Sequence, residues 1–312
     1  MSRAFVFPGQ GAQTIGMGQA LARAYPAARA VFDEVDEALG ERLSALIWEG
    51  TIEDLTLTAN AQPALMATSL AALRALEAEG FGLGDAAFVA GHSLGEYSAL
   101  AAAGALSIAD TARLLRIRGR AMQEAVPVGQ GAMAALLGLD FATASEVAAE
   151  SAQGPGGEVC QAANDNDPAQ VVVSGHRAAV ERAVELAKAR GARRALLLPV
   201  SAPFHCALMQ PAAEAMRAAL SNVVFGAPAV PLVANVRAEA VSDPDTIRAL
   251  LVEQVTGSVR WRESVQWMVA QGVNEFWEIG AGKALSGMIK RIEREAVTRN
   301  IGAPDDIAAL KG

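Results

Sequence analysis

A serine between two glycines, Gly91-His92-Ser93-Leu94-Gly95, stands at the junction of an apolar run and a helix-prone stretch, and no other feature restricts the chain as much. Ala86 to Ala90 reads as a short buried strand, and Glu96 to Ala103 as the helix that leaves it. A G-x-S-x-G placed on such a turn has a mechanical meaning. Its glycines leave room for a sharp bend that pushes the serine hydroxyl out of the sheet, at the positive end of the next helix. Ser93 is therefore the candidate nucleophile, and the Leu94 N–H points where an oxyanion would form. The bare five-residue pattern also fits an ordinary turn serine; the strand before it and the helix after it favour the elbow.

A serine hydroxyl needs a base within hydrogen-bond reach, and the chain has only three histidines. His92 adjoins Ser93, and neighbouring side chains diverge at a sharp turn, so a structural role suits it better. His176 follows the strand Val171 to Val173 and reads as a turn or helix-start residue. His205, in Pro203-Phe204-His205-Cys206 downstream of the serine, is left as the base, against the bland alternative of a satisfied buried imidazole.

Around this pair the chain alternates strand and helix. Arg3 to Phe7 reads as a buried strand ending at Pro8-Gly9, Gln62 to Glu79 as a helix closed by Gly80, and Ser107 with Asp110 as the cap of a helix running to about Ala125. From Pro127 to Pro199 the order becomes strand (Ala132 to Leu139), helix (from Thr143, capped with Glu146), strand (near Val159), strand (Val171 to Val173), helix (Arg177 to Arg190) and strand (Ala195 to Leu198). That β-α-β-β-α-β order is the ferredoxin-like pattern. Beyond it, helices at Leu208 to Leu220, Asp245 to Val255 and Leu285 to Glu295 alternate with strands at Pro231 to Ala234 and Glu275 to Ile279. The expected fold class is α/β, with residues 1–127 and 200–312 forming a large catalytic unit and 128–199 an inserted α+β subdomain.

Composition narrows the partners. With 26 Lys+Arg against 34 Asp+Glu the formal net charge is −8, and no basic run offers a face for nucleic acid. The two cysteines, Cys160 and Cys206, are far apart in sequence and form no C-x-x-C pair, so neither a disulfide framework nor a metal site is expected, and a reducing cytoplasm fits best. Uncharged stretches such as Ala195 to Ala213 are broken by Pro199, Pro203 and Pro211, which argues against a membrane span.

Several ordered motifs carry a family likeness. Phe7-Pro8-Gly9-Gln10-Gly11-Ala12-Gln13, Gln62-Pro63-Ala64, the Ser93 motif with Glu96-Tyr97, Arg118-Gly119-Arg120-Ala121-Met122-Gln123, Pro203-Phe204-His205, Gly280-Ala281-Gly282-Lys283 and Lys290-Arg291 together resemble the bacterial malonyl-CoA:acyl carrier protein transacylases over nearly the whole chain. Ala281 and Ser258 stand where prolines are usual, which bears only on local loops. The resemblance implies a hydrolase-like α/β core with a ferredoxin-like insertion. It implies that Gln10 lies at the oxyanion hole beside Leu94, that Arg118 binds the malonyl carboxylate, and that the Gln254 backbone carbonyl orients the base. Gln62 and Asn164 match further polar positions of the cleft, and Phe204 narrows the pocket beside the acyl α-carbon.

Physical support for these roles is uneven. Arg118 sits among Arg113, Arg116 and Arg120, and such arginines usually form a solvated helix face, yet a malonyl carboxylate entering a pocket needs a cation that can meet it with two parallel hydrogen bonds. Gln10 reads equally as a loop residue between glycines. The expected activity is ping-pong transfer of malonyl from malonyl-CoA to holo acyl carrier protein through Ser93, for fatty acid synthesis, with no cofactor, metal, nucleic acid or membrane partner. The rivals are the same chemistry serving a polyketide synthase, a serine esterase or lysophospholipase on a similar scaffold, and a non-enzymatic carrier-docking module.

Overall fold

The computed structural model describes residues 2–154, 156–200 and 202–311. Its strands, in chain order, are β1 (Ser2–Phe7), β2 (Phe88–Gly91), β3 (Gly131–Leu137), β4 (Cys160–Asp167), β5 (Gln170–His176), β6 (Arg194–Leu197), β7 (Leu232–Ala234), β8 (Glu239–Val241), β9 (Val273–Ile279) and β10 (Val297–Ile301). Six form one sheet in the order β10-β9-β1-β2-β7-β8, parallel throughout except for the edge pair β7 and β8. Four form a second, antiparallel sheet in the order β4-β5-β3-β6.

β1 shows why the large sheet sits inside. Ala4, Phe5, Val6 and Phe7 are all fully enclosed. Successive side chains of a strand point to opposite faces, and here each face has its own apolar cover. Phe5 and Phe7 join a cluster with Leu65 and Leu73 of the helix Thr58–Ala78, whereas Ala4 and Val6 turn to Trp261, Val265 and Ile289. Pro63 lies within that helix and gives no N–H to the Ala59 carbonyl. Arg116 Nη1 takes that oxygen instead at 2.6 Å, which draws the helix Ile108–Glu124 against it.

The small sheet carries the helices Phe141–Ser151 and Arg177–Ala189 over a separate cluster that includes Leu136, Val147, Val173 and Val180. Its strand-helix-strand-strand-helix-strand order is ferredoxin-like, and the α/β architecture with this insertion is the one the sequence led us to expect. β4 also touches the large unit. Asp165 N–H donates to the Val259 carbonyl at 2.9 Å, and Val259 N–H to that of Ala163 at 2.8 Å. Arg262 Nε donates to both Asp165 carboxylate oxygens at 3.0 Å, and Arg291 Nε to Asp167 at 2.7 Å.

Several local readings change. The helix expected from Thr143 starts at Phe141, because Asp140, three residues before Thr143, accepts the Thr143 N–H at 2.8 Å and so holds the capping position. The helix expected over Leu285 to Glu295 spans Ala284–Ile292. Short helices at Gln19–Ala24, Leu43–Glu49 and Ile52–Thr56, the longer Pro26–Leu39 and Trp261–Ala270, and the edge strands β8 and β10 had no counterpart in the sequence reading.

Candidate active site

β2 and the helix Gly95–Ala102 meet in a turn too tight for side chains at its glycines. A Cβ on Gly91 would lie 1.9 Å from the Gly95 carbonyl carbon, and one on Gly95 would lie 2.2 Å from the Phe7 oxygen. Ser93 between them has φ of 54°, in the left-handed region that ordinary residues avoid. Hydrogen bonds hold it there. Ser93 N–H donates to Asn235 Oδ1 at 2.8 Å, Asn235 Nδ2 donates to the Gly91 carbonyl at 2.7 Å, and Gln254 Nε2 donates to the Ser93 carbonyl at 3.0 Å.

His205 arrives from the loop after the small sheet, with φ of 58°. Its Nε2 lies 2.8 Å from Ser93 Oγ and its Nδ1 2.8 Å from the Gln254 backbone carbonyl. A carbonyl can only accept, so Nδ1 carries the ring proton and Nε2 presents its lone pair to the serine hydroxyl. Burial carries the His205 pKa down to about 3, the nearby Arg118 cation adds to the fall, and the bond to Gln254 opposes it. The imidazole is neutral at any working pH.

Arg118 reaches the same hydroxyl. Its Nη2 donates to Ser93 Oγ at 3.2 Å and to Gln254 Oε1 at 2.9 Å, and its Nη1 donates to Gln62 Oε1 at 2.7 Å. The side chain is 1% exposed. Burial lowers its pKa, but a guanidinium starts so high that it stays charged. Both amide partners are neutral, so they orient the cation without cancelling it. The buried carboxyl of Glu96 lies beyond Gln254. It accepts from Asn235 N–H at 3.2 Å and from Gln254 Nε2. Burial pushes Glu96 up to about 8, against the pull of the Asn235 N–H, the Gln254 amide and the Arg118 charge.

A cleft of roughly 480 Å³ opens over Ser93, lined by Gln10, Gln62, Leu94, Arg118, Asn164, Phe204 and His205. Every residue singled out from the sequence thus borders it, except Gln254, which lies fully buried beside it. Leu94 occupies the N-cap position of the helix Gly95–Ala102. Gln10 Oε1 accepts from Thr58 Oγ1 at 2.7 Å, and Gln62 Nε2 donates to the same hydroxyl oxygen at 3.1 Å, so Gln10, Thr58, Gln62 and Arg118 form one continuous row. Asn164, on β4, faces the cleft from the small sheet together with Met133 and Val172.

The other histidines take different places. His92 is half-buried with Nε2 2.8 Å from Asn166 Oδ1, and His176 accepts the Val159 N–H at 2.8 Å at the end of β5. Of the basic residues near the chain end, Arg291 is tied to Asp167, and Lys290 Nζ donates to the Arg294 carbonyl at 3.4 Å. Thr58, Glu96 and Asn235 escaped the sequence reading as site residues. Glu96 lay inside a quoted motif, but Asn235 follows an ordinary short strand and carries no local signal.

The acyl transferase domain family model matches residues 4–300. The chain is 48% identical over 307 residues to the malonyl CoA-acyl carrier protein transacylase of Escherichia coli strain K12, covering 98% of this chain and 97% of that one. The enzyme of the same name from Bacillus subtilis strain 168 is 48% identical over 304 residues, covering 97% and 94%. Among solved structures, the acyl-carrier-protein-S-malonyltransferase from Bartonella henselae superposes with a TM-score of 0.96 at 56% identity, over 99% of this chain and 98% of that one. A malonyl-transacylase solved in complex with its type II PKS acyl-carrier protein gives 0.95 at 42% identity, over 99% and 98%. With its serine elbow, buried histidine and buried arginine in one cleft, the chain belongs to the acyl transferase family and, within it, to the malonyl CoA-acyl carrier protein transacylases.

Proposed function

We propose that this chain transfers malonyl from malonyl-CoA to the phosphopantetheine thiol of holo acyl carrier protein through a malonyl-Ser93 intermediate, supplying fatty acid synthesis in the cytoplasm without a cofactor of its own. The observation that carries this reading is the convergence on Ser93 Oγ of a neutral base, His205 Nε2 at 2.8 Å, and a buried cation, Arg118 Nη2 at 3.2 Å. The first activates the hydroxyl. The second matches an acyl group that ends in a carboxylate.

In the acylation half-reaction His205 Nε2 takes the Ser93 proton as Oγ attacks the thioester carbonyl. The Leu94 N–H and Gln10 stabilise the tetrahedral oxyanion, and Gln254 holds the imidazole by its Nδ1 proton. The proton passes to the departing coenzyme A sulfur. In the second half-reaction His205 deprotonates the carrier's thiol, which attacks the acyl-serine; the acyl–oxygen bond breaks, and the proton returns from His205 to Ser93 Oγ. Arg118 holds the malonyl carboxylate in both, Gln62 and Asn164 add polar contacts, and Phe204 limits room beside the α-carbon. We assign residues 1–127 and 200–312 to the catalytic unit and 128–199 to the inserted subdomain.

A neutral-lipid esterase would have no use for Arg118, whose burial without a substrate anion is costly. The same chemistry can serve a polyketide carrier, as in the malonyl-transacylase solved with its type II PKS acyl-carrier protein. Intact-protein mass after brief exposure to malonyl-CoA is the deciding measurement, with Ser93→Ala as control. A malonyl adduct on the parent and none on Ser93→Ala is the expected result. An unmodified parent sinks the proposal, and transfer by Ser93→Ala at a tenth of the parental rate excludes the serine, because losing a nucleophile costs about 10⁶ in comparable enzymes.

A further inference from the structure

We infer that Glu96 is a positioning residue for both ends of the acyl group: through the Gln254 side chain it aims the Arg118 guanidinium, and through Asn235 it seats the Ser93 elbow. The inference rests on the functional reading above. The amide of Gln254 stands between the buried Arg118 cation and the buried Glu96 carboxyl, its oxygen toward Arg118 Nη2 at 2.9 Å and its nitrogen toward Glu96 Oε2. That orientation is the one an amide dipole adopts between a cation and an anion, and it cannot reverse without placing N–H against guanidinium. The same nitrogen donates to the Ser93 carbonyl. The other Glu96 oxygen accepts the Asn235 N–H at 3.2 Å, and Asn235 in turn fixes Ser93 N–H and the Gly91 carbonyl.

Both Glu96 oxygens therefore accept, from two donors that nothing else in the cluster can exchange for acceptors. The ionised carboxylate satisfies the set. A Gln at this position has one NH₂ and must point it at one of the two N–H donors, whichever way the amide turns. The charged or titratable groups facing Glu96 are Arg118 from the helix Ile108–Glu124 and Tyr97 from its own helix; the first lowers its pKa, and burial, the larger influence, raises it. Ionisation of Glu96 as pH rises through about 8 completes the network.

The test compares Ser93 acylation by malonyl-CoA and by acetyl-CoA, followed by quenched mass measurement, in the parent, Glu96→Gln, Glu96→Asp and Gln254→Met. The last keeps the backbone carbonyl that holds His205 and removes only the bridging amide. Thermal melts identify any variant that fails to fold, and Gln254→Met alone then decides. Glu96→Gln and Gln254→Met should lower malonyl acylation on the order of 10–100-fold, the scale of a misplaced binding group, with a smaller loss for acetyl. Glu96→Asp should recover part of the loss. The parental malonyl rate should rise through pH about 8, and Glu96→Gln should lack that rise. Equal losses for the two acyl groups, no loss, or an unchanged pH profile in folded Glu96→Gln would overturn the inference while leaving the malonyl-Ser93 reading intact. A parent that gains no malonyl adduct would instead remove the reading beneath it.

Discussion

Ser93 and His205 meet at 2.8 Å with both backbones in the left-handed region, φ 54° and 58°, and among the described residues Ala238 is the one other non-glycine so placed. Such conformations persist where surrounding bonds over-determine them. Here Asn235 and Gln254 supply those bonds for Ser93, and the Gln254 carbonyl fixes the His205 ring. The pair proposed as nucleophile and base is set in advance of substrate, with the backbone strain on those same two residues.

Gly95→Ala should fail at the level of folding. Its Cβ would sit 2.2 Å from the Phe7 oxygen, which is backbone of a central strand and cannot yield. Destabilisation at or beyond the top of the about 1–3 kcal/mol usual for overpacking is expected, read from thermal or denaturant melts. A melt indistinguishable from the parent's would show that the elbow can relax.

Arg118→Ala should lower kcat/KM for malonyl-CoA sharply while acetyl-CoA stays level or gains, since acetyl never pairs with the guanidinium and the site no longer holds a buried cation. Arg118→Lys should rescue in part, because an ammonium brings charge without the planar fork. Specificity constants for both donors check this. An equal fall for both in Arg118→Ala would make the arginine structural.

Histidine ionisation gives a stability signature. The unfolded imidazole binds a proton below about 6.5, whereas buried His205 does so only near 3. Between those values the unfolded state holds the extra proton, so this group makes stability rise with pH from about 3 to 6.5 and adds no further slope above it. Replacing His205 by Gln should flatten that part of the stability–pH curve. Acylation by the parent should likewise show no acid limb centred near 6.5; such a limb would mean that the imidazole titrates normally.

For docking of a carrier protein by charge, Lys283 and Lys290 are the clean probes. Arg291 lies beside Lys290, but it holds the buried carboxylate of Asp167, so reversing its charge would disturb the fold as well as any docking. Lys283→Glu with Lys290→Glu should raise KM for the carrier and spare that for malonyl-CoA. Both constants unchanged would place the docking surface elsewhere.

What could be read in the sequence was whatever local chemistry enforces. The glycines around Ser93 announce a close backbone approach, and Ser107 three residues before Asp110 announces a helix start that the structure shows, with the Asp110 N–H bonded to Ser107 Oγ at 3.0 Å. Where two residues could serve, the sequence was ambiguous: Asp140 and Thr143 are both good caps, and it is the Asp140 carboxylate that accepts the Thr143 N–H. The helices at Gln19–Ala24 and Leu43–Glu49 are six and seven residues long with no side-chain cap, too short for a periodic stripe to show. Arg118 was hidden by its neighbours, since Arg116 and Arg118 are buried while Arg113 and Arg120 face solvent on the same helix. Asn235 and Thr58 act through partners 142 and 48 residues away, Ser93 and Gln10, and no local pattern encodes such distances.

The clamps between β4 and the large unit, Arg262 on Asp165, Arg291 on Asp167 and the paired backbone bonds at Val259, give the wall that bears Asn164 a fixed seat beside Ser93. If the proposed mechanism holds, donor and acceptor use the one cleft over Ser93 in turn. Under the proposed mechanism coenzyme A has to vacate it before the carrier's arm can enter, and the acyl group waits on Ser93 between the two visits.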